Sequence, residues 1–583
     1  MILKPDTMKI LLETTCLLCL AASIGMGAPD DSEILEFKVD PSLKMPTAPP
    51  TARQSWHDAR FGMFIHWGPI SQMGQPLSHS RNSPSHRTGG KPYKTASIPP
   101  EVYDAQYKTF NPSRYNPDSI AKLAKAAGAR YVVFTAKHHA GFSMFDSAVT
   151  DYDIMSAPYK RDIVKMLSDA CRTNDIHFGF YYSPRDWHHP DCDSDHHHDR
   201  YIRFFKSQMA ELLTHYGPIY EVWFDGLGPG QWGDTAKEIM WMIRKTNPNA
   251  MVNNRGGAGA DFYTPEQTIS YFNRDRLWEA CYTTSGQWGY NPRVGVRSID
   301  DLMEILLYTW GSDGNMLLNI GPAGDGAVRA GERERWEQIA AWWKLHGEES
   351  IRSSRGGPYL PGPWGAATCK DHRVFLHVFR WPADGKGLFF PNPKGLKAKS
   401  ARLLTGTPVS LDPEPGGFVV SVPEAKRENI ATTVEVTFDA ETTPAPPLPR
   451  LASLTTRARL TASAGQKNLE NLRDKNAETY WTATTGKNKK EITLDLAFDA
   501  PVTIGSFYIA RGEKWTPRLN AELQIPDGAG GWKRITPKRL NLKIVPLKFL
   551  EKPVTTDKLR LLVTGTKRFT CAEFELYAPV AKK

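Results

Sequence analysis

One carboxylate stands out in the stretch VWFDG at residues 222–226, because it directly follows a run of apolar and aromatic residues. The run is typical of a short buried strand, and Asp225 and Gly226 come where that strand ends. A carboxylate is costly to bury without a partner, so it either lies at the open end of a fold, where it can react, or caps the next helix. This stretch alone leaves both interpretations open.

Polar residues also follow several other apolar runs. They are found in HWG (66–68), KHHAGF (137–142), YYSPRDWHHPD (181–191) and NNRGG (253–257). In a barrel of alternating strands and helices, the catalytic groups come from the C-terminal ends of the strands and from the loops that follow them. This shared position favours a reactive role for Asp225 over a helix cap.

Cleavage of a glycosidic bond usually needs two carboxyl groups, one ionised and one protonated. The candidates for the second group are Glu266 in DFYTPEQ and Glu279 in LWEAC, and we expect both on loops between elements. Trp278 and Trp288 give Glu279 an apolar setting that would raise its pKa, as an acid requires.

The histidines raise the question of a metal site. The stretch DWHHPDCDSDHHHD (186–199) has an irregular spacing that matches no structural zinc pattern, so we expect a solvated loop and no metal. His138 and His139 directly follow a predicted strand, where neutral imidazoles can donate to sugar hydroxyls. A HEXXH motif, a glycine-rich phosphate loop and a GxSxG elbow are absent from the sequence, and we predict no cofactor.

The elements that must position these residues alternate between strands and helices. Helices are predicted at 116–128, 161–174 and 200–217 from capping residues and apolar spacing. Strand starts at 131, 176 and 219 recur every 43 to 45 residues, which favours a (β/α)8-like TIM barrel over an open sheet. The predicted strands are FGMFIH (61–66), YVVFTA (131–136), IHFGFYY (176–182), IYEVWFD (219–225), AMVNN (250–254) and NMLLNIG (315–321).

Beyond the predicted barrel at 50–350, the pattern changes to short alternating strands. We predict a β-sandwich at 351–441, a stiff proline-rich linker at 442–450 and a second β-sandwich at 451–583. Because the linker is stiff, we expect few contacts between this last sandwich and the rest of the chain.

Composition and the N-terminus limit the class of protein. The chain has 583 residues and a net charge of +10, but no long block of Lys or Arg, so we expect no nucleic-acid partner. Residues 1–28 are typical of a secretory signal peptide, and no other stretch is long and apolar enough to span a membrane. The five remaining cysteines are too widely spaced for a disulfide framework. We therefore expect a secreted or periplasmic protein, and the sequence does not determine its oligomeric state.

Six stretches together resemble the retaining α-L-fucosidases of glycoside hydrolase family 29. They are WHDARFGMFIHWGP (56–69), YVVFTAKHHAGFSMFDS (131–147), KRDIV (160–164), FGFYYSPRDWHHP (178–190), VWFDG (222–226) and NMLLNIGPAGDG (315–326). The resemblance implies that Asp225 is the nucleophile and that Glu279 is the acid/base, with Glu266 as the alternative. It also implies contacts to the fucose ring from His66, His138, His139, Tyr181, Trp223 and Arg255. Family members often read HHDGF where this chain has Ala140.

Residues 451–580 resemble a discoidin-like (factor 5/8 type C) module, a β-sandwich that often binds carbohydrate. The resemblance depends on RDKNAETYWTA (473–483), ITLDLAFDAPVTIGSFYIAR (492–511) and AEFELYA (572–578). It implies a carbohydrate-binding role for this region.

These observations lead to one main hypothesis and two alternatives. The main one is an exo-acting, retaining α-L-fucosidase that removes terminal fucose from fucose-containing oligo- or polysaccharides. A related α-glycosidase, such as an α-L-galactosidase, is the first alternative, because the two sugars differ only at C6. The second is a carbohydrate-binding barrel that has lost catalysis, against which Asp225 and its two possible glutamate partners argue.

Overall fold

The computed structural model describes residues 45–582 except 83–86, 89–90, 93–96, 193–197, 270–271, 383–384, 386, 449–452, 475–478, 487–490, 512–519, 538–539 and 541–546. The predicted signal peptide and two histidines of the 186–199 stretch, His196 and His197, lie outside the described residues. No helix within the described ranges is both long and apolar enough to cross a membrane.

The first part of the chain forms a curled sheet of seven parallel strands with helices around it, consistent with an α/β barrel. The strands are β1 (Phe61–Ile65), β2 (Tyr131–Lys137), β3 (His177–Tyr182), β4 (Glu221–Phe224), β5 (Met251–Val252), β6 (Glu279–Thr283) and β7 (Asn315–Ile320). The helices are α1 (Pro50–Ala59), α2 (Pro100–Asp104), α3 (Pro117–Ala126), α4 (Ile163–Thr173), α5 (His198–Thr214), α6 (Gly233–Thr246), α7 (Ile299–Gly311), α8 (Ala330–Trp342) and α9 (Glu348–Ser350). The strands pair in the order β5-β4-β3-β2-β1-β7-β6, and every pair is parallel.

All six predicted strands and the three predicted helices are confirmed, with ends shifted by at most three residues. Asn116 caps α3 as expected, because its side chain accepts a hydrogen bond from the Ser119 N–H. Large side chains fill the barrel interior, among them Phe64, Tyr131 and Trp223. The interior is therefore a packed core, and the free space lies at the strand ends.

The expectation that Glu279 lies on a loop is wrong, since this residue begins β6. The strand was missed because a charged residue at its start interrupts the apolar pattern. Between β5 and β6, residues 261–267 take the position of an eighth strand. The Asp261 N–H donates to the Val252 carbonyl, and the Glu279 N–H donates to the Tyr263 carbonyl, each at 2.8 Å.

The region after the barrel consists of antiparallel strands in two sheets that share one apolar core, and we call it the middle sandwich. Its strands are β8 (Arg355–Gly356), β9 (Gly365–Lys370), β10 (Arg373–Val378), β11 (Arg380–Pro382), β12 (Leu388–Pro391), β13 (Ala398–Leu403), β14 (Ser410–Glu414), β15 (Gly417–Ser421) and β16 (Thr432–Phe438). One sheet has the order β8-β9-β10-β16-β13 and the other has the order β12-β15-β14. Val374, Phe390 and Phe418 belong to the apolar core of this region.

The C-terminal region is a second set of antiparallel strands. They are β17 (Arg459–Ala462), β18 (Trp481–Thr484), β19 (Glu491–Arg511), β20 (Asn520–Pro526), β21 (Trp532–Arg534), β22 (Leu547–Thr564), β23 (Arg568–Tyr577) and β24 (Val580–Lys582). Strands β18-β23-β19-β22-β20-β21 form one sheet, with β17 beside β19.

The expectation of few contacts between the C-terminal region and the rest of the chain is wrong. Strand β24 pairs with β11 of the middle sandwich, and Phe549 lies under the guanidinium of Arg380 at 4.0 Å. Tyr508, Leu547 and Tyr577 belong to the same apolar cluster as the barrel core. The module folds back onto the body of the protein.

Candidate active site

Asp225 lies at the C-terminal end of β4, at the open end of the barrel. The amide of Asn253 holds this strand end, because it accepts from the Phe224 N–H at 2.9 Å and donates to the Phe224 carbonyl at 2.8 Å. Gly226 has a φ of 121°, a conformation that favours glycine. The turn after β4 therefore aims the carboxylate into the mouth.

Three side chains contact the Asp225 carboxylate. The hydroxyl of Tyr181 donates to Oδ2 at 3.1 Å, Nη1 of Arg255 donates to Oδ1 at 3.1 Å, and His139 Nε2 lies 3.5 Å from Oδ2. Burial raises the pKa of Asp225, but the His139 hydrogen bond and the Arg255 charge together hold it well below its ordinary value. The side chain is still one quarter exposed. It is an ionised, accessible nucleophile or base.

Glu266 shares Arg255 with Asp225. The same Nη1 atom that bonds Asp225 also donates to Glu266 Oε2, at 3.0 Å. Both carboxylate oxygens lie about 3 Å from this one nitrogen, so they are at most about 6 Å apart. Thr264 holds the Arg255 guanidinium in place, because the guanidinium also donates to the hydroxyl and the carbonyl of Thr264, each at 2.9 Å. The Glu266 side chain is 44% exposed and lies at the mouth.

Glu279 lies instead in the barrel core, with no exposed surface. Its Oε2 accepts from the Trp223 indole N–H at 3.2 Å, and its Oε1 accepts from the Tyr131 hydroxyl. Glu266 is level with Cys281 in the adjacent strand, so Glu279 lies roughly 7 Å deeper along β6. Burial raises the pKa of Glu279, as the sequence suggested, but the cause is the core and not a substrate cleft.

Four histidines line one side of the mouth, and we call His66, His79, His138 and His139 the histidine pocket. Each Nδ1 has a protein partner: Asn319 Oδ1 at 2.7 Å, the Leu77 carbonyl at 3.1 Å, Ser78 Oγ at 2.6 Å and Ser183 Oγ at 2.5 Å, respectively. Burial lowers the pKa of His66 to about 3 and that of His138 well below its ordinary value. These two rings are neutral at physiological pH.

Aromatic rings form the floor and wall beside these histidines. Tyr181 stacks on His138 with ring centroids 5.3 Å apart and on Trp223 at 5.8 Å. The Arg255 guanidinium lies 4.8 Å from the Trp223 ring centre. Trp288 lies 4.7 Å from His66. Flat apolar faces beside hydrogen-bonding groups suit a pyranose ring.

The structure brings Asp225, Glu266 and the six expected sugar-contacting residues to one mouth, whereas Glu279 lies below it. Sequence reasoning missed the role of His79, which comes from a polar loop with no strand before it. It also missed Ser78 and Asn319, whose side chains anchor histidines. The sequence signal for Asn319 is its place in the NMLLNIG motif. The strand of that motif pairs with the strand that precedes HWG.

Ala140, where family members often have Asp, is buried in a small apolar cluster with Ile70, Leu77, Ile98 and Tyr103. An unpaired carboxylate would be costly there. The Ala140 N–H donates to Ser78 Oγ at 2.9 Å.

The described part of the 186–199 stretch packs against aromatic rings. His188 stacks on Tyr152 at 3.9 Å, and His189 lies 4.8 Å from Phe204. Asp186 is buried, pairs with Lys137 at 3.1 Å and accepts the backbone N–H groups of both histidines. Where side chains are described, no group of three or more His, Cys, Asp or Glu is arranged to hold a metal ion. A metal-independent reaction stays a prediction.

Comparison with known families decides the class of this site. The family described as Alpha-L-fucosidase matches residues 41–348, which is more than half of the chain. The chain belongs to this family. Plasma alpha-L-fucosidase from Homo sapiens is 31% identical over 413 residues, covering 64% of this chain and 87% of that protein. Tissue alpha-L-fucosidase from Rattus norvegicus is 29% identical over 367 residues, covering 57% and 77%.

Solved fucosidase structures share the fold. Alpha-L-fucosidase isoenzyme 1 from Paenibacillus thiaminolyticus has a TM-score of 0.60 at 30% identity, covering 67% of this chain and all of that one. A family 29 alpha-L-fucosidase from Bacteroides thetaiotaomicron, solved as a trapped covalent intermediate, has a TM-score of 0.60 at 25% identity, covering 70% and 100%. The chain is an exo-acting, retaining α-L-fucosidase whose substrate is a fucosylated glycan.

One further structure covers the C-terminal region as well. Alpha-L-fucosidase from Vibrio sp. strain EJY3 matches 91% of this chain and 98% of its own, with a TM-score of 0.63 at 22% identity. This likeness shows a shared fold that extends beyond the barrel.

Proposed function

We propose that this fucosidase uses Asp225 as its nucleophile and Glu266 as its acid/base. The observation that carries the proposal is the single Arg255 nitrogen bonded to both carboxylates. Retaining glycosidases hold their two carboxyl groups about 5 Å apart, whereas inverting enzymes need roughly 6.5–9.5 Å to admit a water molecule. An upper limit of about 6 Å favours retention.

In the first step, Asp225 attacks the anomeric carbon and Glu266 gives its proton to the departing oxygen. In the second step, Glu266 takes a proton from water, which attacks the anomeric carbon and releases Asp225. The burial of Glu279 beneath Trp223 supports this assignment, because a proton donor must come within hydrogen-bond distance of the leaving oxygen.

Arg255 links the charges of the two carboxylates during the cycle. In the free enzyme its charge is shared between them. When Asp225 becomes an ester, it loses its negative charge, and Arg255 then acts on Glu266 alone.

The test is an Asp225→Gly variant with added azide. Turnover should fall by several orders of magnitude, because no covalent intermediate can form. Azide should restore turnover by attacking from the face that Asp225 occupied, which gives β-fucosyl azide. Activity near that of the wild type would remove Asp225 from the mechanism.

We also propose that residues 1–28 are a signal peptide that is removed on export to the periplasm or the medium. The motifs at the N-terminus support this proposal. N-terminal sequencing of protein from the native host should give a mature chain that starts near residue 29. A chain that retains residues 1–28 in the cytoplasm would contradict it.

We further propose that residues 451–583 are a discoidin-like module that retains the enzyme on polymeric glycans. The antiparallel strands and the sequence motifs support this role. Affinity electrophoresis in gels with and without a sulfated fucan, at low and high salt, tests it. A mobility unaffected by the fucan would contradict a binding role.

A further inference from the structure

Two histidines of the pocket are anchored in opposite ways, and we propose that this fixes what each can offer a substrate. The contact with Asn319 leaves Nε2 of His66 as a hydrogen-bond acceptor, and the contact with Ser78 leaves Nε2 of His138 as a donor. Asn319 and Ser78 are thus positioning residues that select for sugar hydroxyls. The inference rests on the proposed function for its ligand, but its physical content concerns proton positions in the free enzyme.

The Asn319 amide has only one orientation that satisfies its contacts. Its Nδ2 lies 2.7 Å from the Trp288 carbonyl oxygen, and a carbonyl can only accept, so the amide nitrogen must be on that side. The amide oxygen therefore faces His66 Nδ1 at 2.7 Å, and Nδ1 must carry the hydrogen. Because His66 is neutral, its Nε2 keeps a lone pair and can only accept.

Ser78 acts in the opposite sense on His138. Its Oγ already accepts the Ala140 N–H at 2.9 Å, and it lies 2.6 Å from His138 Nδ1. The Ser78 side chain also lies beside the Tyr103 hydroxyl, but the oxygen of that hydroxyl already accepts the Ser78 N–H at 2.8 Å. Because the contact to His138 Nδ1 is short, at 2.6 Å, we assign the Ser78 hydrogen to His138 Nδ1. Neutral His138 then carries its own hydrogen on Nε2 and presents a donor.

The two rings are held as neighbours in the pocket. Their centroids are 5.8 Å apart with the planes at 67°. Tyr181 stacks on His138, and Trp288 covers His66. Among the described residues neither Nε2 has a hydrogen-bond partner, so these are the two nitrogens left for a ligand.

An acceptor beside a donor discriminates between chemical groups. A hydroxyl can donate to His66 and accept from His138, whereas fluorine can only accept, an ammonium group can only donate and a methylene can do neither. Leaving a buried polar group unpaired typically costs a site tenfold or more in affinity. The pair therefore selects substrates with a hydroxyl at this position.

Asn319→Asp tests the His66 assignment. A carboxylate next to Nδ1 favours the imidazolium, which converts Nε2 from an acceptor into a donor. We expect KM for an aryl α-L-fucoside to rise at least tenfold as the pH falls through the raised pKa of His66, with a smaller change in kcat. Asn315→Asp is the matched control, since Asn315 lies on the same strand and bonds the Trp56 carbonyl instead.

Other groups around His66 must be included in the interpretation of this pH profile. Burial has the largest effect on its pKa; Asp225 raises it, and His139 and His79 lower it. The rings of His138, Tyr181 and Trp288 also contact it. The carboxylate of Asp225 is present in both the wild type and the variant, so only the difference between their profiles reports on position 319.

Deoxyfluoro sugars provide the sharper measurement. Inhibition constants for L-fucose and its monodeoxy and monodeoxyfluoro analogues should identify a hydroxyl that fluorine cannot replace in the wild type. In Asn319→Asp at low pH, fluorine at that position should regain binding, because His66 then donates. If fluorine has the same effect in both enzymes at every pH, the inference fails.

Ser78→Ala tests the other anchor. Without the serine hydroxyl, His138 is free to place its hydrogen on Nδ1, so KM should rise severalfold while kcat changes less. Ser80→Ala is the matched control, because its hydroxyl is bonded to the Pro76 carbonyl in the same loop. Equal KM values in the two variants would contradict the role of Ser78.

A direct measurement keeps the inference testable if a variant fails to fold. ¹⁵N NMR of the histidine-labelled wild type should show His66 protonated on Nδ1 and His138 protonated on Nε2. The opposite tautomers would overturn the inference even in an active fucosidase. An enzyme with no activity on α-L-fucosides but with these tautomers would contradict the proposed function instead.

Discussion

At the scale of single residues, the assignment of the acid/base separates Glu266 from Glu279. Glu266→Ala should lose most activity on substrates with poor leaving groups and little on activated aryl fucosides, because only the former need protonation. Azide should attack the glycosyl-enzyme of this variant and give α-fucosyl azide. Product analysis by NMR distinguishes it from the β-azide expected for Asp225→Gly.

Glu279→Gln is the comparison for this experiment. It retains the side-chain volume and lies outside the mouth, so its leaving-group dependence should match that of the wild type. If Glu279→Gln shows the acid/base pattern and Glu266→Ala does not, the assignment is reversed.

The charge of Arg255 sets the acid limb of the pH profile. Burial raises the pKa of Asp225, while His139 and Arg255 lower it further than burial raises it. Asp225 therefore stays ionised at low pH, and activity is lost only as the pH falls through its depressed pKa. Arg255→Gln should shift the acid limb of kcat/KM to higher pH, since one of the lowering charges is gone.

Arg255→Lys retains a positive charge and should shift the limb less, although it loses the paired contact to Thr264. The measurement is kcat/KM for an activated aryl fucoside against pH. An acid limb that stays in place in Arg255→Gln would show that Arg255 does not control Asp225.

At the scale of elements, β4 and β6 place two carboxyl groups together in the floor of the barrel. Glu221 begins β4 and accepts from the Trp56 indole at 2.8 Å, and Glu279 begins β6. Burial raises the pKa of both groups, and the charge of Glu279 raises that of Glu221 further. The pair therefore holds a proton at pH values where free carboxyls are ionised.

This pair should make stability depend on pH. The folded pKa values lie above the ordinary value of 4.5, so the pair's contribution to stability is complete below that value and is lost as the pH rises towards the folded values. The free energy of unfolding in urea should fall from about pH 5 to about pH 8. Glu279→Gln should flatten this dependence, and an unchanged slope would contradict the shared proton.

Glu279→Ala should also destabilise the barrel. It leaves the Tyr131 hydroxyl and the Trp223 indole N–H without their acceptor in the core, at a cost of about 3 kcal/mol. Glu266→Ala, at the exposed mouth, should change stability by less than about 0.5 kcal/mol. Similar unfolding free energies for the two alanine variants would contradict these placements.

At the scale of the whole molecule, the C-terminal region contributes to the stability of the barrel. Truncation after residue 449 should lower Tm by several degrees, because β11 loses its partner β24 and the apolar contacts of Tyr508 and Tyr577 are removed. Hydrolysis of a small aryl fucoside at low temperature should be nearly unchanged, since the mouth lies within residues 60–320. An unchanged Tm would show that the region is independent.

Phe549→Ala is the point variant that goes with this truncation. It removes the ring under Arg380 and should lower Tm by less than the truncation does. Glycan retention measured on the same variant distinguishes docking of the C-terminal region onto the body of the protein from binding of this region to the glycan.

The sequence by itself determined the barrel, its two following β regions and most of the mouth. Apolar runs are local signals, and the end of each strand fixes the position of the polar residue directly after it, as for Asp225 and His138. The family resemblance depends on the same short motifs. These features need no knowledge of which distant segments meet.

Only the tertiary structure decided between the two glutamates. Glu266 and Glu279 are 13 residues apart in the chain, and which one reaches the mouth depends on the parallel register between residues 261–267 and β6. The anchoring of His66 by Asn319, the proton pair of Glu221 and Glu279 and the docking of β24 on β11 are likewise long-range contacts. They follow from how the curled parallel sheet brings its strand ends together, which no local pattern records.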